Sequence, residues 1–492
     1  MNNLIVLPMV LPVMVGILLI FLRPYIKAQR VISLLAMVAN IGIAIYLLNR
    51  IQAEGVLRLD FGGWNPPFGI LFVADSFSVI LVLIASFVTL ACLIYAFSSV
   101  GKKMENMYFY SFVNFLIAGV NGSFLTGDLF NLYVNFEIML LASYVLIVLG
   151  GQKVQLRESL KYVVINVLSS WFFLVGIAYL YGQLGTLNMA HISQLISESG
   201  QTPLLTVTSL VFLTVFALKS GLLLYFWLPG SYSAPPTAVA ALFGGLLTKV
   251  GIYAMFRMFT LIFYHEPQIT HTAIGILAGL TLIGGSIGAI AYKDLRQIAS
   301  YNVIIAVGFI LIGLAVMTPA AIEGSVYYLM HDMIAKTLLF LLIGTMITVT
   351  GERRLDNISG LIRNYPVFGW IFFIVMVSLA GIPPLSGFIG KVLVGQGAVE
   401  AGSYVLLALA FISSVFVLYS LLRIFLNSFW GETIISFDDE VPMKKGWMTS
   451  FILMTVAMVV LGVGAEFFAP YVANAANTLM NPDIYIDAVM ND

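Results

Sequence analysis

Apolar runs about as long as a bilayer is thick recur end to end along this chain, and nothing else constrains its fold as strongly. Predominantly apolar stretches of about 18 residues or more number about fourteen. They fall near 3–22, 31–49, 74–98, 107–126, 129–150, 159–182, 204–228, 234–262, 270–291, 297–317, 320–349, 366–396, 402–429 and 447–470. A backbone in hydrocarbon has to satisfy its own hydrogen bonds, and runs of this length do so as helices. Too little polar material remains for a water-facing surface: 9% of the 492 residues are charged, against about 25% in a soluble domain. The expected fold is all-α and polytopic, with about 14 transmembrane helices. Several runs exceed 25 residues, which predicts tilt, kinks or unwound turns within them.

The composition also excludes several functions. Basic and acidic residues balance at 23 each, so no overall field draws nucleic acid. A single cysteine, Cys92, makes neither an internal disulfide nor an iron–sulfur ligand set. The four histidines, His191, His265, His271 and His331, show neither zinc spacing nor a facing pair for haem. No cofactor is expected, and no oxygen cluster for a metal ion is legible. The start, Met1 to Leu4, lacks the basic region of a cleaved signal, so the first run reads as a retained helix.

Basic residues in alternate loops set an orientation. One set holds Arg23, Lys27 and Arg30, then Lys102 and Lys103, Lys153 and Arg157, Lys293 and Arg296, Arg353, Arg354 and Arg363, and Lys444 and Lys445. The other set is mostly acidic: Glu54, Asp60, Asp128, Glu198, Glu266, Glu323 and Glu400, with Arg50 and Arg58. The first set is assigned to the cytoplasm of a bacterial cell membrane, which leaves both termini extracytoplasmic. Residues 54–70 read as an extramembrane loop or hairpin, and 188–199 as an amphipathic helix at the interface.

Spans seven and twelve each carry helix breakers near a lone lysine: Gly221 and Pro229 beside Lys219, and Pro383, Pro384 and Gly387 before Lys391. They stand five spans apart, an odd number, so two five-helix repeats would be inverted relative to one another. Paired interrupted helices in inverted halves point to the ion path of a transporter. The expected organisation is 1–98 for three N-terminal helices, 99–262 and 263–430 for the repeats, and 431–492 for a loop, a last helix and an external tail.

Ionisable residues within the spans cost about 2.5–3.5 kcal/mol each at a helix centre. Glu137, Lys219, Lys249, Lys336 and Lys391 lie in five separate spans. Singly, each reads equally well as a structural pair or a snorkelling side chain. Together, four amines and one carboxylate cannot neutralise one another pair by pair, so some amine is deprotonated or hydrated. Lysine suits proton exchange where the permanently charged arginine does not. Asp332 and Lys336 are spaced to pair along one helix face. His331 is a further candidate relay group. Lys161, at the start of span six, reads either as a group admitting protons or as an ordinary anchor, and Arg257 and Arg423 read as anchors near span ends.

These residues resemble a known family. Lys219-Ser220-Gly221, Phe226-Trp227-Leu228-Pro229 and Ala234-Pro235-Pro236-Thr237-Ala238-Val239 are similar to the central signature of the antiporter-like subunits of respiratory complex I and of the multisubunit Mrp-type cation/proton antiporters. Asn135-Phe136-Glu137 and Gly381-Ile382-Pro383-Pro384-Leu385-Ser386-Gly387-Phe388 extend the likeness over spans three to thirteen. Leu247 to Tyr253 and Gly360 to Pro366 resemble the Mrp branch. The resemblance implies that Glu137 is the acidic partner of Lys219, Lys249 a bridging relay lysine, Lys336 the amine of span eleven, and Lys391 the terminal relay lysine. The family often has histidine where this chain has Asp332, and proline where it has Leu224. The implied function is sodium/proton antiport, with other membrane subunits as partners, H+ and Na+ as transported ions, and no enzymatic step. A proton-pumping subunit of a complex I-type dehydrogenase and a non-transporting scaffold are the alternatives.

The orientation is directly testable. A single cysteine at position 360, in a Cys92→Ala background, is expected to react with a membrane-impermeant thiol reagent only from the cytoplasmic side. Labelling from outside would reverse the assignment.

Overall fold

The computed structural model describes residues 2–491 except 437 and 439. Among these, eleven helices are long and apolar enough to cross a membrane. The protein is an all-α polytopic membrane protein, and its strand content among the described residues is one antiparallel hairpin, β1 (Leu57–Asp60) paired with β2 (Leu71–Ala74). That hairpin occupies the segment expected to be extramembrane. A helix, Met189–Ser199, covers the segment read as interfacial, started by Asn188, whose side chain accepts from the amides of Ala190 and His191.

The 32-residue helix Pro319–Thr350 is the axis of the molecule. It is apolar almost all round, as a helix buried on every side has to be, and residues 324–346 are all buried. Helix Ser386–Glu400 crosses it closely, as do helices Leu295–Val316 and Ser76–Ser99. Polar joints fasten the N-terminal helices to this body. Pro12 has no amide hydrogen to give, so the carbonyl of Pro8 is left free within helix Leu7–Phe21. Asn40 and Asn121, from two other helices, donate to it at 3.2 and 2.9 Å.

The helices over spans seven and twelve are discontinuous. Helix Pro203–Ser220 stops at Gly221 (φ 80°) and resumes as Leu228–Ser233. Helix Pro366–Ala380 stops at Gly381 (φ 85°) and resumes as Ser386–Glu400. Both glycines sit in the left-handed region that ends helices at little cost. Span eight is a different case. It runs over Thr237–Ile262, but residues 243–247 and 258–262 are wound as π-helix.

Two sequence readings need correction. Arg257 is not an interfacial anchor: it is 3% exposed, and its Nη2 contacts Asp75 Oδ2 at 2.7 Å. Asp75 uses its other oxygen to cap helix Ser76–Ser99, accepting from the amide of Ser78 at 2.8 Å. A charge in hydrocarbon requires such a counter-charge, and Asp75, read only as the edge of a span, supplies it. Nor does the last span run to 470. Helix Lys445–Val463 ends at Gly464, and helices Ala465–Met480 and Pro482–Met490 follow. The last of these returns to the Arg257 site. Tyr485 lies 5.0 Å from the guanidinium, and Arg58 Nη1 donates to the carbonyl of Val489 at 2.6 Å.

Removing one partner of a buried pair strands the other charge, at a cost of roughly 3–5 kcal/mol. Arg257→Ala is expected to lower the melting temperature of the detergent-purified protein sharply. Asp75→Asn combined with Arg257→Gln should recover much of that loss. Equal destabilisation by the single and double variants would contradict the pairing.

Candidate functional site

The predicted ionisable residues lie on five helices and form a series of local groups from Glu137 to Lys391. At its first end, Glu137 is half-buried on helix Leu129–Val148, and Lys219 is 5% exposed in the last turn of Pro203–Ser220. They do not form a direct ion pair. Ser170, on helix Lys153–Leu184, stands between them. Its hydroxyl donates to Glu137 Oε1 and accepts from Lys219 Nζ at 3.1 Å. The ammonium also lies 5.1 Å from the centre of the Phe136 ring, an attractive cation–π distance. Below it the break is held from the side: Trp227 Nε1 donates to the carbonyl of Leu218 at 3.1 Å, and Thr281 Oγ1 accepts from the amide of Leu223 at 2.8 Å.

Lys249 comes next, fully buried. Its Nζ reaches Asp332 Oδ2 at 2.8 Å and donates to the carbonyl of Gly244 at 2.8 Å. That carbonyl belongs to the π-helical turn, where the ordinary i→i−4 ladder is interrupted. Gly245 permits the approach, since a Cβ there would lie 2.0 Å from Thr337 Oγ1 on the central helix. Asp332 therefore takes its short contact from another helix. Lys336, the i+4 partner expected from spacing, stands 3.9 Å from Oδ1. The contacts are charge–charge in character, because neither carboxylate oxygen accepts a well-aligned hydrogen bond.

Lys391 closes the series beyond the second break. Its Nζ donates to the carbonyls of Leu379 and Ala380, at 3.0 and 2.9 Å. These are the last carbonyls of half-helix Pro366–Ala380, its electronegative end. A cavity of about 160 Å³ adjoins the lysine, lined by Phe309, Gly381, Phe388 and Phe411 among others. Between Lys336 and Lys391 sits His331, fully buried, with Nδ1 2.8 Å from Ser386 Oγ. Ser386 in turn lies 3.4 Å from Ser378 across the break.

Lys161 lies apart from this series, half-exposed and paired with Glu158 at 3.1 Å. Pro229 lies in the first turn of the resumed half of span seven, helix Leu228–Ser233, which leads into the connection Ser233–Thr237. Arg296 fastens that connection by donating to the carbonyls of Ser233 and Pro235 and to Thr237 Oγ1, at 3.1, 2.7 and 3.0 Å. Sequence reasoning missed Ser170, Ser378 and Ser386, and took Arg296 only as a loop charge. One signal for Ser170 was present: Gln155, Ser159, Tyr162, Asn166, Ser169 and Ser170 fall at helical spacing on one face of span six, and all six are buried. Among the described residues no cluster of ligating side chains suits a metal ion.

Residues 126–417 match the transmembrane family described as NADH:quinone oxidoreductase/Mrp antiporter, which places the chain in that class of membrane proteins. Over its whole length the chain is 50% identical to the D subunit of the Na(+)/H(+) antiporter of Bacillus subtilis strain 168, covering 100% of both chains. It is 48% identical to the corresponding D subunit of Alkalihalophilus pseudofirmus, again covering 100% of each. The structure superposes on a chain of the Mrp complex from Dietzia sp. DQ12-45-1b with a TM-score of 0.93, at 28% identity, covering 100% of this chain and 99% of that one. This chain belongs to the D-subunit family of bacterial Mrp-type Na+/H+ antiporters.

Among the described residues, Asp332 is the only carboxylate within contact of both Lys249 and Lys336, so neutralising it leaves two buried ammoniums facing each other. Asp332→Asn is expected to lower thermal stability and antiport together, and more than Lys336→Gln does. The measurement is thermal unfolding of the purified complex beside sodium-driven proton flux in vesicles. A milder effect for Asp332→Asn than for Lys336→Gln would refute this ordering.

Proposed function

We propose that this chain, as a subunit of a hetero-oligomeric sodium/proton antiporter, carries protons along Glu137, Lys219, Lys249, Lys336 and Lys391. The observation that carries the reading is a pair of bridged groups, Ser170 between Glu137 and Lys219 and Asp332 between Lys249 and Lys336, with Lys391 at the second helix break. The whole-length relatives are named as antiporter subunits, which favours antiport over a dehydrogenase pump or a scaffold. Lys161, paired with Glu158 away from these groups, is either a proton-entry group or an ordinary cytoplasmic anchor. The partners are the other membrane subunits, and sodium is exchanged against the protons that this chain conducts.

A fourteen-span count with two inverted repeats fits the same reading. To the eleven long helices it adds the shorter apolar helices Leu7–Phe21, Phe109–Leu125 and Pro366–Ala380. Residues 99–262 and 263–430 form the repeats, and a shared local pattern supports them. Asp128 caps helix Leu129–Val148 and pairs in a bridge with Asn188. Asp294 caps helix Leu295–Val316 and pairs in a bridge with Arg354. The step from 128 to 294 equals the step from 188 to 354. It also equals the step from helix Lys153–Leu184 to helix Pro319–Thr350, each 32 residues long. With Lys293, Arg353 and Arg354 at the cytoplasmic face, the first bridge and both termini lie outside.

The energies are suited to gating. A membrane potential contributes about 2.3 kcal/mol per charge per 100 mV, and one pKa unit is worth about 1.36 kcal/mol. Small displacements of a lysine relative to its carbonyls or carboxylate therefore suffice to load or empty it. Glu137→Ala is expected to abolish antiport in an assembled complex. Lys391→Arg, which keeps the charge but cannot release the proton, should assemble normally yet lose most transport. Native gels report assembly, and fluorescence quenching in everted vesicles across about pH 7 to 9.5 reports antiport. Wild-type flux from Lys391→Arg over that range would exclude proton release there.

A further inference from the structure

Resting on the reading above, we propose that the Ser170 hydroxyl is the obligatory proton carrier between Lys219 and Glu137. The two charged groups come from helices Pro203–Ser220 and Leu129–Val148, and helix Lys153–Leu184 packs against both. What fills the gap between them is one hydroxyl, 3% exposed at the residue level. A serine hydroxyl has one proton to give and two lone pairs to accept with. A carboxylate only accepts and an ammonium only donates. With both end groups charged, the hydroxyl proton has one place to point, at Glu137 Oε1, and a lone pair faces Lys219 Nζ at 3.1 Å.

Other serines nearby are committed to the main chain. Ser143 donates to Leu140, Ser159 to Leu156 and Ser169 to Val215. Ser170 is distinct in giving its proton to a carboxylate. The Phe136 ring faces the lysine head from another side, its centre 5.1 Å from Nζ. The transfer balances without any further reactant. An Nζ–H bond of Lys219 breaks as that proton bonds to Ser170 Oγ, and the original Oγ–H bond breaks as its proton bonds to Glu137 Oε1. Lysine becomes a neutral amine, glutamate a neutral acid, and serine is regenerated with its hydroxyl reversed. The charge of the pair sums to zero before and after, so the step separates no charge in a medium where separation is expensive.

The test uses the complete multisubunit complex in everted vesicles, with sodium-driven proton flux read by a pH-sensitive dye and assembly read by native gel. Ser170→Ala and Ser170→Val are expected to lower flux about a hundredfold, the scale of a lost proton-transfer group. Ser170→Thr, which keeps a hydroxyl, should retain most of it, and Ser169→Ala should transport like wild type. If the alanine variant fails to assemble, the threonine and valine variants decide, since they share one shape and differ in the hydroxyl. Wild-type flux in the alanine or valine variant would overturn the proposal. So would equal loss in the assembled threonine and valine variants, because shape rather than the hydroxyl would then matter. Glu137→Ala and Lys219→Ala run alongside: if they also transport normally, the proposed function itself falls, and if they alone are inactive, it stands without Ser170.

Discussion

Hydrocarbon leaves no backbone carbonyl unsatisfied without a cost of several kcal/mol, and the interior of this protein is arranged around the places where helices release theirs. The end of half-helix Pro366–Ala380 frees two carbonyls, which Lys391 occupies. The π-helical turn at 243–247 frees that of Gly244, taken by Lys249. The first break frees that of Leu218, and here an indole N–H takes it, which leaves Lys219 to the Ser170 hydroxyl. Each defect would be a liability alone, as would each ammonium. Together they satisfy each other: Lys391 is held by two carbonyl dipoles, and Lys249 by a carbonyl dipole beside the Asp332 carboxylate.

Arg257 and Lys249 show the contrast within one span. The arginine is clamped by the Asp75 carboxylate and surrounded by Phe77, Tyr253 and Tyr485. It is a fixed charge in a fixed frame. About two turns away along the helix, Lys249 shares a single carboxylate with Lys336. Two ammoniums and one carboxylate form an unequal set, so any proton added or removed redistributes the contacts around Asp332. The permanently ionised side chain stands in a one-to-one pair, and the titratable ones share one carboxylate between two amines.

Much of this was legible in the sequence because hydrocarbon makes charge and helix breakers rare. Glu137 and the four lysines stood out against apolar neighbours, and Gly221 and Gly381 marked the breaks at the places where the backbone turns left-handed. The hydroxyls did not stand out. Serine is common in membrane helices and usually bonds its own main chain, so Ser170 and Ser386 look like any other serine until the facing helix is known. Partner choice was equally hidden. Spacing offered Asp332 to Lys336, and helix packing gave its short contact to Lys249. Asp75 and Arg257 are 182 positions apart, and no local pattern connects an acid at the start of one span with a base at the end of another.

The return of helix Pro482–Met490 to the Arg257 site has a bearing on biosynthesis. Arg58 and Val489 are 431 positions apart, so the N-terminal hairpin and the Asp75–Arg257 pair wait through most of translation before Tyr485 covers them. Until then the Asp75–Arg257 joint lacks its Tyr485 cover, and the Arg58 guanidinium lacks the Val489 carbonyl. Residues far apart in order of synthesis thus complete one joint, so its assembly is a late event in the folding of this chain.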